Sequence, residues 1–482
     1  MSANNNIKDM ILDIDPNQID FSNSTEVKEV FLKLLNTYAN SQNVIFKLRE
    51  ENQILKDEIN KLKGEKGKPD IKLNKKNDEE EDEEESFDQE TKKKKKRNRN
   101  SKKPNIKIDR EEIAEFSEEK KKNLPLDVEF KGYREVIIQE VKIVTDNVKF
   151  KILRYWSSST RKTYEPNLPE QYNKGEFGAH LHAFVLMLYF IGRVTENKIV
   201  KILKEVGIII SPTKVLDIIN GNEDDFSKEK IDILNAGLTT TSYQQTDDTG
   251  IRINAVNHYM NVYCNPFYTA FKINENKKRE TIRKFLNGLK SKILNLVSDD
   301  APQFKEVTES LALCWVHEER HYKKLNPILT FQKKLLTNFR GRIWEYYDKL
   351  KEYKQKPTEK IKIKLNKEFD KLFSTITGYE ELDHRIELTR AKKENLLVVL
   401  DHPEVPLHNN ASEQEIREIV VKRKVSNGLR SEKGKLAWEN HFTILGTCRK
   451  QGISYWEYLK NRFCGIEQML LAERVASHAI TT

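Results

Sequence analysis

The hydrophobic positions near the start of the chain follow a heptad pattern. Apolar residues recur at two seam positions over residues 27–62, and the regular part of the seam consists of Ile45, Leu48, Asn52, Leu55, Ile59 and Leu62. Leu at one seam position with an Asn at the other favours a two-stranded parallel coiled coil. We therefore predict a coiled-coil dimerisation segment over residues 1–66. The alternative is a single amphipathic helix that packs on its own chain.

The heptad pattern ends before residues 67–108, where charges of one sign run together. Eight acidic residues span 78–85, and six basic residues span 92–97. Such blocks cannot bury enough apolar area to offset the loss of chain entropy, so a disordered linker is predicted. The basic block either contacts phosphates without sequence preference or only keeps the protein soluble.

Short apolar runs with strand character follow over residues 109–176. The runs at 136–144 and 148–155 are rich in Val and Ile, which favours strands. We predict a small β-rich module that would be zinc-ribbon-like except that it has no cysteine. Because a zinc ribbon needs thiolate ligands, no zinc is expected in this module.

Residues 177–235 carry helical patterns. One apolar helix is predicted over about 179–191, a second after the cap residue Thr195, and a third after Ser211-Pro212. Helices joined by a short glycine-containing turn are typical of a helix-turn-helix DNA-binding segment. A helical bundle with a purely structural role has the same pattern, and both interpretations stay open.

Residues 236–440 alternate between strand and helix patterns. Three strands are predicted over about 242–274, then a helix, a fourth strand that ends at Ser298, and a fifth over 311–316. This order predicts an α/β fold with a ribonuclease-H-like core, in which the first and fourth strands are neighbours. The charged, helical stretch at about 322–395 exceeds what the core needs and predicts an all-α insertion. A C-terminal helical element is predicted over 441–482.

Three carboxylates fall where this fold would bring them together. Asp247 follows the first strand, Asp299 ends the fourth, and Glu413 begins a helical pattern. Converging acids can hold two divalent metal ions about 4 Å apart for nucleotidyl transfer. Oxygen ligands of this kind suit Mg²⁺ and also Mn²⁺. Each acid alone has an ordinary interpretation, as a turn residue, a helix N-cap or a capping partner.

The bulk composition indicates which cellular compartment and which kind of partner suit the chain. A net charge of +10 and a pI near 9.0 favour a polyanionic partner, although a Lys-rich chain without a nucleic-acid role has the same balance. The four cysteines do not make a disulfide framework, which suits a reducing cytoplasm. The most apolar stretch, residues 183–192, is too short to cross a bilayer, so no membrane association is expected.

Six sequence motifs occur in order between about residues 180 and 465. They are QTDDTGIRIN, LVSDDAPQF, CWVHEERHYKKL, HNNASEQEIR, KRKVSNGLRSEKG and ILGTCRKQGISYWEYL. Together they resemble the DDE transposases of the insertion-sequence-66 family of bacterial mobile elements. The resemblance implies that Asp247, Asp299 and Glu413 are the catalytic, metal-binding triad. It implies an enzyme that cleaves DNA at the element ends and joins the freed 3′-hydroxyl to target DNA.

The same resemblance implies partners and supporting residues. The partners would be element-end and target DNA, a homodimer or higher oligomer, and accessory proteins of the same element, in a bacterial cytoplasm near the nucleoid. Active-site support is predicted for Cys314, His317, Arg320, Asn409 and Asn410. For the Cys314-Trp-Val-His317 motif, metal ligation is the alternative, although the motif supplies at most half of a zinc site.

The segment that follows Glu413 is strongly basic. Contacts to the DNA backbone are predicted for Arg417, Lys422, Arg423, Lys424, Arg430, Lys433 and Lys435. The alternative is a solvated, charged helix face. The chain departs from the family pattern at Asp248, where Glu is usual, and at His408, where Asp or Thr usually precedes the Asn pair.

Two other functions share parts of this pattern. A catalytically silent, transposase-derived DNA-binding protein would keep the coiled coil and the basic surface but has no reason to keep all three acids. A ribonuclease-H-like nuclease would keep the acids but would need neither the coiled coil nor the insertion, and would cut without strand transfer.

Overall fold

A computed structural model of the chain describes most residues of its C-terminal two thirds and separate stretches before them. The described residues are 23–62, 108–114, 117, 125, 133, 136–172, 175–221, 223–289 and 293–479. The predicted linker at 67–108 lies outside the described residues, apart from residue 108. Contacts divide the chain into one unit of residues 1–51 and 143–482 and another of residues 52–142.

A single long helix, α1, spans Ser24–Leu62 within the predicted coiled-coil segment. Its Asn36 side chain donates a hydrogen bond to the backbone oxygen of Gly378 at 3.0 Å and accepts one from Gln332 at 3.1 Å. The seam residues Ile45 and Leu55 are exposed. The helix therefore packs on its own chain through a face other than the seam, and pairing with a second chain stays a prediction.

The region predicted to be β-rich contains one short hairpin. Strands β1 (Tyr155–Ser157) and β2 (Lys162–Tyr164) pair in antiparallel fashion. The described residues between 108 and 154 form neither strand nor helix. Their apolar side chains, such as Ile138 and Val144, are exposed and lack a core to pack against. Within the described residues, strand propensity alone has therefore not produced the predicted strands at 136–144 and 148–155, because strand pairing needs a packed face.

In the described part of the chain, four α-helices lie between the hairpin and the central sheet, and the first three begin close to the predicted positions. They are α2 (Ala179–Phe190), α3 (Glu196–Glu205), α4 (Pro212–Ile219) and α5 (Glu223–Gly237). The Ser211 hydroxyl caps α4 by accepting a hydrogen bond from the backbone N–H of Lys214 at 3.1 Å. Helix α2 is apolar on all sides because it lies inside the hydrophobic core of this region.

A five-stranded mixed sheet forms the centre of the fold. In chain order it consists of β3 (Tyr243–Ile253), β4 (Val256–Cys264), β5 (Thr269–Asn274), helix α6 (Arg279–Asn287), β6 (Asn295–Ser298) and β7 (Ser310–Leu313). The spatial order is β5-β4-β3-β6-β7. The first three strands pair antiparallel, whereas β3 with β6 and β6 with β7 are parallel. The first and fourth strands of the sheet are thus neighbours, and the chain has the predicted α/β character.

Helix α7 (Trp315–Lys323) leads into the stretch predicted to be an insertion. That stretch contains α8 (Thr330–Gln355), α9 (Glu359–Leu372), α10 (Glu380–Arg390) and α11 (Lys393–Leu396). They enclose a hydrophobic cluster of their own, in which Trp315 packs among Tyr346, Phe369 and Phe373. The Trp315 indole N–H is satisfied by the Leu396 carbonyl at 2.9 Å.

The remaining helices cover the sheet and its open edge. They are α12 (Asn410–Ser426), α13 (Glu432–Lys450), α14 (Tyr455–Phe463) and α15 (Leu471–Ala476). Side chains of α13 accept hydrogen bonds from backbone N–H groups of edge strand β5: Glu439 from Ile273 at 2.8 Å and Thr443 from Phe271 at 3.0 Å. The edge strand is thereby protected from pairing with another chain. None of the helices described here is long and apolar enough to cross a membrane.

The packing of α5 against the sheet generates a stability prediction. A Cβ added at Gly237 would overlap the ring of the buried Tyr268, whereas one added at Gly341 in α8 would meet open space. We expect Gly237→Ala to lower the free energy of unfolding by about 1–3 kcal/mol through overpacking. Gly341→Ala, the matched control, should raise it by up to about 1 kcal/mol through helix propensity. Urea unfolding measures both, and an unchanged midpoint for Gly237→Ala would contradict this packing.

Candidate active site

The parallel pairing of β3 with β6 brings two of the predicted acids together. The strands are in register at Gln245 and Val297. Continuing this register by two residues sets Asp247 opposite Asp299. Side chains at matched positions of neighbouring strands point to the same face of a sheet, so the two carboxylates face a common region.

Helix α12 carries the third acid to the same place. The buried Ser412 hydroxyl lies 3.2 Å from the Thr246 carbonyl of β3 and 2.8 Å from the Asn409 carbonyl of its own helix, so its one proton is shared between these two acceptors and α12 contacts β3 at this point. Glu413 is the next residue, and its backbone N–H donates to the Asn409 carbonyl at 3.1 Å within the first turn of the helix. An acidic side chain is favourable there because the N-terminal end of a helix carries partial positive charge.

The electrostatics show that the three acids share one environment. Burial, together with the negative charges of Asp299, Glu413 and Asp248, raises the pKa of Asp247 to about 7, against the opposing effect of a hydrogen bond from the Asp248 backbone N–H. Burial also raises the pKa of Asp299, while nearby His317 opposes that rise. The cluster therefore holds more negative charge than its protein surroundings compensate.

Asp248, the neighbour of Asp247, is paired with a lysine. The Lys277 ammonium lies 2.9 Å from the Asp248 carboxylate and 5.0 Å from the centre of the Tyr259 ring. Its charge offsets that of Asp248, and Asp247 has no such partner among the described residues. Sequence reasoning missed Lys277, because nothing near it in the chain indicates that it returns to the end of β3.

The predicted support residues lie around Glu413. The Nε2 atom of His317 is 3.5 Å from the Glu413 carboxylate, and Arg320 is 3.7 Å from it and 3.2 Å from His317. Cys314 is buried, and its backbone N–H donates to the Ser298 carbonyl at 3.0 Å, at the strand end that leads to Asp299. Burial raises the pKa of the Cys314 thiol to about 11, so the thiol stays protonated near neutral pH.

The Asn pair lies at the start of α12. Asn409 is fully buried, and neither polar atom of its amide has a hydrogen-bond partner within the described part of the chain. The His408 ring accepts a hydrogen bond from the Asn410 backbone N–H at 3.4 Å. His408 thus contacts one backbone N–H at the start of the helix.

A divalent cation fits the donor set, although the acids are not yet in ligand geometry. The Oε1 atom of Glu413 is buried and accepts no hydrogen bond among the described residues, although His317 and Arg320 lie within 4 Å of it, and it is beside carboxyl groups of raised pKa. Carboxylate oxygens of this kind are the ligands that a hard cation prefers. In the part of the chain that is described, no three metal-binding side chains are already close enough to hold one ion.

The helical insertion reaches the loop that follows Asp299. Lys392, just before α11, lies 2.6 Å from Asp300 and 3.0 Å from Glu318. Glu318 is buried and also accepts a hydrogen bond from Thr389 at 2.5 Å. The insertion therefore braces the loop beside Asp299, a contact that no local sequence signal indicated.

The predicted basic segment divides into exposed and buried members. Arg417, Lys424, Arg430 and Lys433 are exposed. Lys435 pairs with Glu432 at 3.1 Å, and Arg423 donates to the Thr249 hydroxyl at 3.1 Å and to the Gly250 carbonyl.

For Lys422 the structure requires a correction. Its ammonium is buried, donates to the Tyr189 carbonyl at 2.8 Å and lies 3.3 Å from the centre of the Tyr189 ring. Burial lowers the pKa of Lys422 to about 7. Lys422 therefore joins α12 to α2 and is not accessible to DNA in this structure.

The charge on Asp247 generates a pH prediction. Its pKa rises from 3.8 to about 7 on folding, so the folded chain binds an extra proton between these values and stability falls as the pH rises through them. In metal-free buffer near pH 8 we expect Asp247→Asn to exceed the parent in stability by about 1–3 kcal/mol, and to match it near pH 4. Urea unfolding at both pH values measures this, with the exposed Asp217→Asn as control. Equal stability of Asp247→Asn and the parent near pH 8 would contradict a raised pKa of Asp247 in the folded protein.

Comparison with known proteins agrees with the geometry. Residues 174–437 match the family described as Transposase IS66 family, and this range includes Asp247, Asp299 and Glu413. The chain is also 39% identical over 181 residues to the uncharacterized protein y4jO of Sinorhizobium fredii, which is 38% of this chain and 56% of that protein. The chain thus spans about half the length of this curated relative. Because the family match covers more than half of its residues, the chain belongs to the IS66 family of transposases.

Proposed function

We propose that this chain is a DDE-type DNA transposase, which cleaves DNA at the ends of an insertion sequence and transfers the freed 3′ end to target DNA. The observation that carries the proposal is the meeting of three acids from distant parts of the chain. Asp247 and Asp299 face each other across β3 and β6, and the contact of Ser412 with Thr246 brings Glu413 beside them. Membership of the IS66 family supports the same function.

We further propose that the core is ribonuclease-H-like. The sheet order β5-β4-β3-β6-β7, with two antiparallel pairs followed by two parallel pairs, supports this assignment. In such a sheet the first strand lies at the centre, and its end is next to the end of the fourth. A site built there can combine an acid from each strand with one from a helix packed on the same face.

Asp247, Asp299 and Glu413 would hold Mg²⁺, or Mn²⁺ in its place. The raised pKa of Asp247 supports a cation site, as does the Glu413 Oε1 atom, which accepts no hydrogen bond among the described residues. When bound, divalent ions would activate the attacking oxygen and stabilise the leaving oxygen of the phosphodiester. No zinc is proposed in the segment before α2.

The neighbouring side chains would orient the acids and the DNA. His317 and Arg320 contact the Glu413 carboxylate and would hold its direction. The Arg320 guanidinium is about half exposed, at 48%, and would also bind a phosphate oxygen. Lys277 neutralises Asp248, which leaves Asp247 as the strand-borne carboxylate with uncompensated charge.

The exposed cationic side chains of the segment after Glu413 would contact the DNA phosphates. Arg417, Lys424, Arg430 and Lys433 are exposed on α12 and its continuation into α13. Contacts of this kind position DNA without reading its sequence. Helices α2–α4 would read the element ends as a helix-turn-helix segment, and the exposed seam of α1 would pair two copies. Accessory proteins of the element and a position near the bacterial nucleoid complete the proposal.

The decisive test uses element-end DNA. We expect purified protein with Mg²⁺ to nick labelled element-end DNA and to form joined products. Asp299→Asn should reduce both by more than about 100-fold, since even residues that only support metal ligands cost about 10–100-fold. The exposed Asp348→Asn variant in α8, which removes the same charge away from the site and from the proposed DNA-reading helices, should retain activity. DNA binding without cutting, in either Mg²⁺ or Mn²⁺, would favour a silent DNA-binding protein, and nicking without joining would favour a nuclease.

The basic segment generates a second prediction. Replacing Arg430 and Lys433 with Gln should weaken DNA binding and lower the slope of log affinity against log salt by about one for each phosphate that is no longer bound. Fluorescence anisotropy of a labelled duplex at several salt concentrations measures the slope. Lys371→Gln, an exposed cation of α9, is the matched control. A slope equal to that of the parent would assign Arg430 and Lys433 to a solvated helix face.

A further inference from the structure

A groove lies at the far end of the β3–β4 hairpin, beyond the acids. Its volume is about 640 Å³, within the range of about 300–1,000 Å³ that is typical of sites for small ligands. Its lining includes Gly250, Arg252, Tyr259, Arg423 and Gly428. The lining thus combines guanidinium groups with an aromatic ring.

The absence of a side chain at Gly250 keeps the groove open. Gly250 pairs with Tyr259 across the two strands, so both residues belong to the same face of the hairpin. A Cβ added at Gly250 would have only the Arg423 guanidinium near it, at 3.9 Å. Larger side chains at this position would therefore fill the groove without disturbing the backbone.

The opposite wall is held in place by backbone hydrogen bonds. The N–H of Leu429 donates to the Arg252 carbonyl at 2.8 Å, and the N–H of Asn254 donates to the Leu429 carbonyl at 3.0 Å. Gly428 has a φ of +93°, and a Cβ there would lie 2.6 Å from the Arg252 carbonyl. Only glycine allows this close approach, so the chain after α12 is fixed to the hairpin as a wall of the groove.

The groove adjoins the acid cluster through Asp248. Asp248 and Gly250 are two residues apart on one face of β3, opposite the face of Asp247, and their separation corresponds to about 7 Å at a rise of about 3.4 Å per residue. Lys277 spans this distance, because its ammonium contacts Asp248 at 2.9 Å and lies 5.0 Å from the centre of the Tyr259 ring. The charges of Asp248 and Lys277 both act on Asp299, so a DNA strand that passes from Asp299 over Asp248 would meet Tyr259 and then Arg252.

The geometry points to a binding site for one unpaired nucleotide of single-stranded DNA beside the reacting phosphodiester. Tyr259 would stack on the base, and Arg252, which has no ion-pair partner among the described residues, would bind the adjacent phosphate. A duplex presents its phosphates but not its base faces, whereas a groove with both a ring and a guanidinium suits a base that has left the helix. The inference rests on the proposed transposase function and adds a substrate state to it, namely an unpaired end next to the cleavage site.

The test measures binding in metal-free buffer, where no cleavage occurs. The probe is a single-stranded oligonucleotide of about 12 nucleotides that contains 2-aminopurine, compared with its duplex. Gly250→Leu should weaken single-strand binding about tenfold, as expected for the loss of one stacked base, and change duplex binding by less than about twofold. Tyr259→Leu should abolish the change in 2-aminopurine fluorescence that stacking causes. Gly341→Leu, exposed in α8, is the control for a Gly-to-Leu change.

Each outcome decides the inference. A folded Gly250→Leu protein with parental single-strand affinity, or a Tyr259→Leu protein with the parental fluorescence change, would overturn it. If Gly250→Leu lowers the unfolding midpoint, the single-strand affinities of Tyr259→Leu and Arg252→Gln provide the test instead. Parental affinity in both variants would show that the DNA strand binds elsewhere. Cleavage of element-end DNA by the parent is measured separately. Cleavage with unaffected single-strand binding would therefore reject the groove and leave the transposase function standing.

Discussion

The candidate site depends on the parallel pairing of β3 with β6. That pairing sets Asp247 opposite Asp299, and the register is held because β3 is the central strand of the sheet. A slip by one residue would turn one carboxylate to the other face of the sheet. The contact of the buried Ser412 hydroxyl with the Thr246 carbonyl then joins α12 to β3, so the third acid follows from the same strand.

This arrangement concentrates negative charge in a partly buried place. Folding raises the pKa of Asp247 and Asp299, which means that the protein stabilises the acid cluster incompletely by itself. Arg320 lies 3.7 Å from Glu413, whereas two lysines pair with neighbours of the cluster: Lys277 with Asp248, and Lys392 with Asp300 and Glu318. The structure thus stabilises the neighbours of the cluster and leaves its centre suited to an external cation.

Buried polar contacts also join the helices to the sheet. Glu439 of α13 accepts from the edge strand and pairs with the buried Lys230 of α5 at 2.5 Å. Removing one residue of such a pair lowers the free energy of unfolding, because the charge of the other residue stays buried without compensation. Lys422 has a comparable role between α12 and α2, where its ammonium donates hydrogen bonds to the backbone carbonyls of Tyr189 and Val194. These contacts explain why several charged residues of a basic chain are structural.

The sequence by itself determined the features that depend on near neighbours. The cap at Ser211 and the helix and strand order of the core follow from local patterns. Only the tertiary structure decided the burial of Lys422, the contact of Lys392 with Asp300 and the absence of strands among the described residues of 136–154. The physical reason is that side-chain burial, ion pairing and strand pairing depend on partners far away in the chain, which no local pattern specifies.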